Sequence, residues 1–228
     1  MNTYSNKFVV LIPCAGSGAR FGGTLPKQYV KIGAKTILEH TVDAFLQVEE
    51  ISEIIIVVNA NDNVINDISA LKNHVTILKV GGKTRANTVL NGLNHLTLAD
   101  KDWVLVHDAA RCCIEPELIK KQIAELRNDD VGGILAIPVT DTVKVVNSGI
   151  ISATLDRNTV YLAQTPQMFR YGVLKQALST HYNVPGITDE ASSVEKLGLP
   201  VRVINGSVSN IKVTYAEDLT TVQNILKK

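Results

Sequence analysis

Residues 9–29 read VVLIPCAGSGARFGGTLPKQY. The apolar run Val9 to Ile12 predicts a buried strand. It feeds a loop holding Gly16, Gly18, Gly22 and Gly23, with Arg20 and Lys27 as its cations. Glycine lets backbone N–H groups approach a ligand closely, and such a loop after a parallel strand cradles phosphate. Gly16-x-Gly18 matches the first half of a dinucleotide fingerprint. The third glycine is displaced to Gly22, however, and Pro26 interrupts the stretch where the fingerprint's helix should run. The Gly-Lys-Ser/Thr of a Walker loop is absent from this loop. A longer loop with its own Arg and Lys suits a triphosphate attacked at its α-phosphorus, where charge must be neutralised in the transition state. The alternative is a glycine-rich surface loop with solvated cations.

The chain of 228 residues is 45% hydrophobic, enough for one large α/β domain with its own core. A net charge of +1 argues against a polyanion-binding surface, so no nucleic-acid partner is expected. The three cysteines, Cys14, Cys112 and Cys113, are odd in number and two are adjacent. They form neither a disulfide framework nor a zinc spacing, and a reducing cytoplasm fits them. No apolar leader or membrane-spanning run is visible, so no membrane association is expected.

Strand and helix patterns alternate along the chain. Residues 36–48 carry Ile37, Leu38, Val42, Phe45 and Leu46 at helical spacing, opened by a Thr36/Glu39 capping-box pattern. Strands are expected at 54–58, 75–80 and 103–106, with a short helix near 63–71 and a longer one over ANTVLNGLNHL. This predicts a Rossmann-like, doubly wound, mostly parallel sheet with its ligand crevice at the strands' carboxyl ends. Gly81-Gly82-Lys83-Thr84-Arg85 follows the third strand, so Lys83, Arg85 and Thr88 are placed to face a base, ribose or phosphate. Asp108, after Trp103–Val106, is the metal candidate, because Mg²⁺ prefers oxygen ligands. Arg111 either holds a second anion or pairs with Asp108. His107 reads as structural, and Cys112 and Cys113 as packing residues.

Farther on, a strand from Gly132 changes to an alternating pattern over Thr140–Val146. Asn147-Ser148-Gly149 then turns the chain into Ile150–Leu155. This predicts a β-arm at about 139–158, inserted in a single domain over 1–228 and suited to pairing with another subunit. Pro166 is expected to end any regular element in YLAQTPQMF. A helix near 170–182, a turn at Pro185-Gly186, a helix opened by Thr188 as N-cap or ligand hydroxyl, a strand at 201–205 and a last helix from about Ala216 complete the reading.

The segments PCAGSGARFG…PKQY, GGKTRANTVLNGL, VHDAAR, DTVK, LDRNTVYLAQTPQMF, TDEASSVEKLG and NIKVT occur in this order. Together they resemble the 2-C-methyl-D-erythritol 4-phosphate cytidylyltransferase family of the non-mevalonate isoprenoid pathway, over nearly the whole chain. The resemblance implies a homodimer joined by the arm, with CTP and a polyol phosphate as substrates and Mg²⁺ or another divalent cation as cofactor. It implies that Arg20 and Lys27 stabilise charge at the α-phosphate. Pro13, Cys14, Ala15, Gly16, Ser17, Gly18, Gly82, Lys83, Thr88 and Ala109 would bind the nucleotide, and Asp108 would hold the metal. Arg157, from the neighbouring subunit, and Lys212 would grip methylerythritol phosphate. Asp108, Arg111, Thr140, Thr165 and Thr188 would add substrate contacts. Cys14 stands where alanine is usual, with its backbone N–H unaltered.

The implied chemistry is in-line attack of the acceptor's phosphate on the α-phosphorus of CTP, with loss of pyrophosphate. Cations and backbone donors suit such positioning, and no Ser–His–Asp or Cys–His pairing is evident. The alternatives are a ribitol 5-phosphate cytidylyltransferase and a non-catalytic nucleotide-binding regulator. A dehydrogenase is disfavoured by the broken fingerprint and by the absence of an acidic residue at Val58-Asn59.

Overall fold

The fold is described from a computed structural model over residues 6–16, 21, 25–68, 71 and 74–227. The predicted positions Ser17, Gly18, Arg20, Gly22 and Gly23 lie outside the described residues.

The apolar run forms β1 (Phe8–Pro13) at the middle of a seven-stranded sheet. After the small antiparallel pair β2 (Lys31–Ile32) and β3 (Lys35–Thr36) the chain enters its first α-helix, and on one side β1 pairs in parallel with β4 (Ile51–Val57), which pairs with β5 (Thr76–Leu78). On the other side lies β6 (Trp103–Val106), also parallel. Beyond it come β10 (Tyr161–Arg170), β7 (Gly132–Pro138) and β11 (Arg202–Asn205). Among the described strands of this sheet, β10 alone runs antiparallel to its neighbours.

Side chains alternate across a strand, and both faces of β1 are covered. Val10 and Ile12 join the core made with α1 (Ile37–Leu46) and α3 (Pro116–Leu126), through Leu38, Phe45, Ile119 and Ile123. Val9 and Leu11 face α2 (Arg85–Asn94), α4 (Tyr171–His181) and α5 (Glu190–Glu195), through Val89, Leu93, Leu174 and Val194. Burial on both faces explains why these strands read as continuous apolar runs. The last helix, α6, spans Asp218–Leu226.

Local signals act as read at several points. Thr36 and Glu39 form a reciprocal capping box at α1. Two strands, Val143–Asn147 (β8) and Ile150–Leu155 (β9), form the expected hairpin. Its turn residues Ser148 and Gly149 both have positive φ, as a tight two-residue hairpin turn requires.

Other expectations are corrected. Pro166 does not end a strand: β10 runs through it, with the register shifting between Ala163 and Gln167 so that the proline falls in the irregularity. The N-cap of α5 is Asp189, not Thr188. Asp189 Oδ1 accepts from Ser192 N, while Thr188 N donates to the Ser192 hydroxyl. The segment near 63–71 is a 3-10 turn, Val64–Asp67, within its described part. Leu46 is exposed although it fits the helical stripe. The helix α3 goes beyond the expectations, yet Pro116 in its first turn and Ile119, Ile123 and Leu126 at helical spacing announce it.

Candidate active site

A cavity of about 350 Å³ opens at the carboxyl ends of β1 and β6. One wall is the loop after β1, where Pro13, Cys14, Ala15 and Gly16 line it. Cys14 N donates to Val57 O at 2.7 Å, and Cys14 O accepts from Gln28 Nε2 at 3.0 Å. The Cys14 side chain packs into the core, so a thiol in place of a methyl group leaves the backbone unaltered. Lys27 also lines the cavity, and its ammonium donates to Val213 O at 2.8 Å.

The opposite wall is the loop before α2, whose N-terminus faces the cavity and favours an anion there. Gly82, Lys83, Thr84, Arg85 and Thr88 line this wall. The Thr88 hydroxyl is committed within the chain, accepting from Gly82 N at 3.0 Å and donating to Thr84 O at 2.9 Å. Thr88 thus shapes the loop that lines the cavity. A Cβ on Gly81 would overlap the Ala15 methyl and the Val58 carbonyl, so glycine lets the two walls approach.

The floor comes from Asp108, Ala109 and Ala110 after β6, with Lys212 and Thr214 beside them. Asp108 Oδ1 accepts from Arg85 Nε at 2.9 Å, and Lys212 Nζ lies 2.7 Å from Oδ2. Arg111 Nε stands 3.8 Å from Oδ2. Burial alone would push the Asp108 carboxyl up. The charges of Arg85, Lys212 and Arg111 outweigh burial and hold it well below the usual carboxylate range. The pairing of Arg111 with Asp108 is one of its two expected roles. The rest of its guanidinium donates to the carbonyls of Asn210 and Ala163, bracing the segment that carries Lys212.

His107 is fully buried, and burial pushes its pKa down to about 3. Its Nδ1 meets Thr165 Oγ1 at 3.1 Å, its Nε2 meets Arg111 O at 3.2 Å, and Phe45 packs edge-on against the ring. A neutral ring with both nitrogens engaged is structural, as expected. Cys14 is likewise no nucleophile, because burial, then Asp62 and Asp108, push its thiol up.

The structure therefore gathers Pro13, Cys14, Ala15, Gly16, Lys27, Gly82, Lys83, Thr88, Asp108, Ala109 and Lys212 at one cavity. Other expected residues stand apart from its lining. Thr165 is buried behind the floor, where its hydroxyl accepts from Asp108 N. Arg111 braces the floor from beneath. Thr188 borders a neighbouring cavity. Thr140 and Arg157 are exposed at the base of the arm, joined by an Arg157 Nη1 to Thr140 O bond of 2.7 Å. Gln28, Ala110, Thr214 and Glu190 were not legible as site residues. Each acts through a backbone carbonyl or a distant partner, which no local motif displays.

No cluster of three His, Cys, Asp or Glu side chains suited to a metal exists among the described residues. Asp108 is the carboxylate in the described cavity lining, and both its oxygens face cations. Such a donor set does not make a closed protein cage. It fits a Mg²⁺ ion bound mainly by phosphates, with one or two carboxylates at most from the protein.

Residues 8–228 match the family model of 2-C-methyl-D-erythritol 4-phosphate cytidylyltransferase. A protein of that name from Neisseria meningitidis serogroup B is 46% identical over 224 residues, covering 96% of this chain and 97% of the relative. A crystal structure of a 4-diphosphocytidyl-2C-methyl-D-erythritol synthase superposes with a TM-score of 0.87 at 42% identity, covering 98% of this chain and all (100%) of the other. The Francisella tularensis 2-C-methyl-D-erythritol 4-phosphate cytidylyltransferase superposes with a TM-score of 0.83 at 34% identity, over 96% of this chain and 100% of that one.

Proposed function

The chain belongs to the 2-C-methyl-D-erythritol 4-phosphate cytidylyltransferase family, and from that premise we propose that it joins CTP to 2-C-methyl-D-erythritol 4-phosphate. The products are 4-diphosphocytidyl-2-C-methyl-D-erythritol and pyrophosphate, in isoprenoid precursor synthesis. The observation that carries this reading is the cavity itself. Backbone and an α-helix N-terminus form two walls, and Lys27 and Lys212 converge from opposite ends of the chain.

A phosphate oxygen of the acceptor attacks the α-phosphorus, and the bond from that phosphorus to the oxygen bridging to the β-phosphate breaks. A phosphate oxygen is anionic near neutral pH, so no general base is required. The obstacle is repulsion between two anions and their alignment. In this reading the loop after β1 and the α2 loop seat the triphosphate and base. Lys27, with Arg20 beyond the described residues, neutralises charge at the α-phosphate, and Lys212 holds the acceptor's phosphate. Arg111 and Thr165 fix the floor from beneath.

Mg²⁺ would enter with the nucleotide, and Asp108 would give it one carboxylate oxygen. When bound, the ion supplies charge neutralisation on the phosphates.

The hairpin supports a homodimer. Val146, Ile150, Ile151 and Leu155 on it, with Tyr161 and Leu162 at its base, are exposed apolar side chains in one region. Arg157 stands at the same base, so a paired subunit would bring it, with Thr140, to the acceptor's end of the cavity; Thr188 would contact the acceptor from the neighbouring cavity. The domain spans 1–228 in this reading. No described helix is long and apolar enough to cross a membrane, and a cytoplasmic location follows from the cysteine usage and the substrates. The test is pyrophosphate release with CTP, Mg²⁺ and methylerythritol 4-phosphate.

A further inference from the structure

Glu190 is fully buried at the start of α5, yet it does not line the cavity. Its place is set from two sides. Asp189 caps the helix, and Gln167 on β10 donates to Asp189 Oδ2 at 2.8 Å while accepting from Ala191 N at 2.9 Å. Both Glu190 oxygens take Arg85 Nη1, at 2.7 and 3.0 Å. Arg85 Nε donates to Asp108 Oδ1, and Lys212 occupies Asp108 Oδ2. The row Glu190–Arg85–Asp108–Lys212 therefore alternates in sign from the core to the cavity.

One atom in this row lacks a partner: Arg85 Nη2 is buried and makes no hydrogen bond. A guanidinium commonly meets a carboxylate with a fork of two N–H groups. Here Asp108 receives a single one. Its second oxygen is turned to Lys212 although a buried N–H of Arg85 goes unsatisfied, at a cost that a full fork would remove.

We propose that Glu190 is a positioning residue for the transfer reaction: by holding Arg85 Nη1 it limits Arg85 to one Asp108 oxygen and leaves the other to Lys212. The inference rests on the cytidylyltransferase reading, in which Lys212 serves the acceptor's phosphate. Without Glu190, Arg85 takes both oxygens of Asp108, and the Lys212 ammonium loses its anchor. Neither change touches the loop after β1.

The test compares the full-length wild type, Glu190→Gln and the double variant Arg85→Gln/Glu190→Gln, with KM measured separately for CTP and for methylerythritol 4-phosphate. In Glu190→Gln the acceptor KM rises by about tenfold to a hundredfold, the scale on which a misplaced binding group costs, while the CTP KM stays within about twofold. Adding Arg85→Gln removes the competitor for Asp108 and returns the acceptor KM towards the wild type. A double variant as poor as or poorer than Glu190→Gln, or equal rises in both KM values, overturns the inference and leaves Glu190 a packing residue. If Glu190→Gln does not accumulate folded, the double variant carries the test alone, because its two amides leave no buried charge unpaired. Its acceptor KM then rises clearly less than that of Lys212→Ala, and a rise equal to that of Lys212→Ala contradicts the inference. A wild type inactive with this acceptor overturns the functional reading instead, so the two failures are distinct.

Discussion

Lys27 Nζ donates to Val213 O at 2.8 Å, across 186 positions of sequence. The bond ties the turn after the first glycine loop to the segment that carries Lys212. The cation expected at the α-phosphate and the cation expected at the acceptor thus hang on one frame, without a covalent or helical link between them.

Replacing Lys27 with Ala loses this bond, worth about 1.5–3 kcal/mol for a charged donor, a minor part of the 5–15 kcal/mol or so typical of a folded domain. Turnover falls about 10²–10³-fold, as when one preorganised donor is removed from a transition state. Steady-state rates beside a thermal melt check both halves. Wild-type turnover in the folded variant refutes the role of Lys27.

Arg157 reaches Thr140 at the base of the arm and does not line its own chain's cavity. If it serves the partner's site, two inactive variants complement each other. Mixing Lys27→Ala with Arg157→Ala under conditions that exchange subunits restores about a quarter of wild-type activity. Half the dimers are then mixed, and each holds one intact site. No recovery with proven exchange places Arg157 in cis or outside the reaction.

His107 makes the fold acid-sensitive. Its pKa is near 3 when folded and near 6.5 when unfolded, because burial disfavours the cation. Between those values the unfolded chain binds a proton that the folded chain does not, so stability falls as pH falls. At pH 5 the loss is about 2 kcal/mol. Melting temperatures from pH 7.5 to 5 measure it, and His107→Gln flattens the slope over that range. An unchanged slope in the variant assigns the acid sensitivity to other groups.

Gly81→Ala sets a methyl group against Ala15 and the Val58 carbonyl. The two cavity walls are forced apart, at a cost of about 1–3 kcal/mol, the usual range for overpacking. CTP binding by calorimetry weakens more than the melting temperature alone accounts for. Gly149→Ala, in an open turn at positive φ, leaves CTP binding unchanged and serves as the control.

The parallel strands, the capping box at Thr36 and the hairpin turn were legible because each is a local signal: an apolar run, a side chain three residues from its partner, two residues suited to positive φ. The two cavity walls were legible because glycine spacing marks a loop that backbone can approach closely. What the chain order hides is long-range. Arg85 reads as one more cation beside the phosphate loop, and only folding shows its charge spent on Asp108 and Glu190, the latter 105 positions away. Asp108 reads as an open carboxylate at a strand end, yet three cations surround it. Thr165 and Arg111 stand beneath the floor rather than on it, the first with its hydroxyl on Asp108 N and the second donating to the carbonyls of Asn210 and Ala163.

Pyrophosphate release by the wild-type protein with CTP and Mg²⁺ is to be measured with methylerythritol 4-phosphate and, in parallel, with ribitol 5-phosphate. A methylerythritol phosphate cytidylyltransferase releases pyrophosphate with methylerythritol 4-phosphate and none above background with ribitol 5-phosphate. Release with ribitol 5-phosphate alone, or with neither acceptor in a protein that demonstrably binds CTP, rules that activity out.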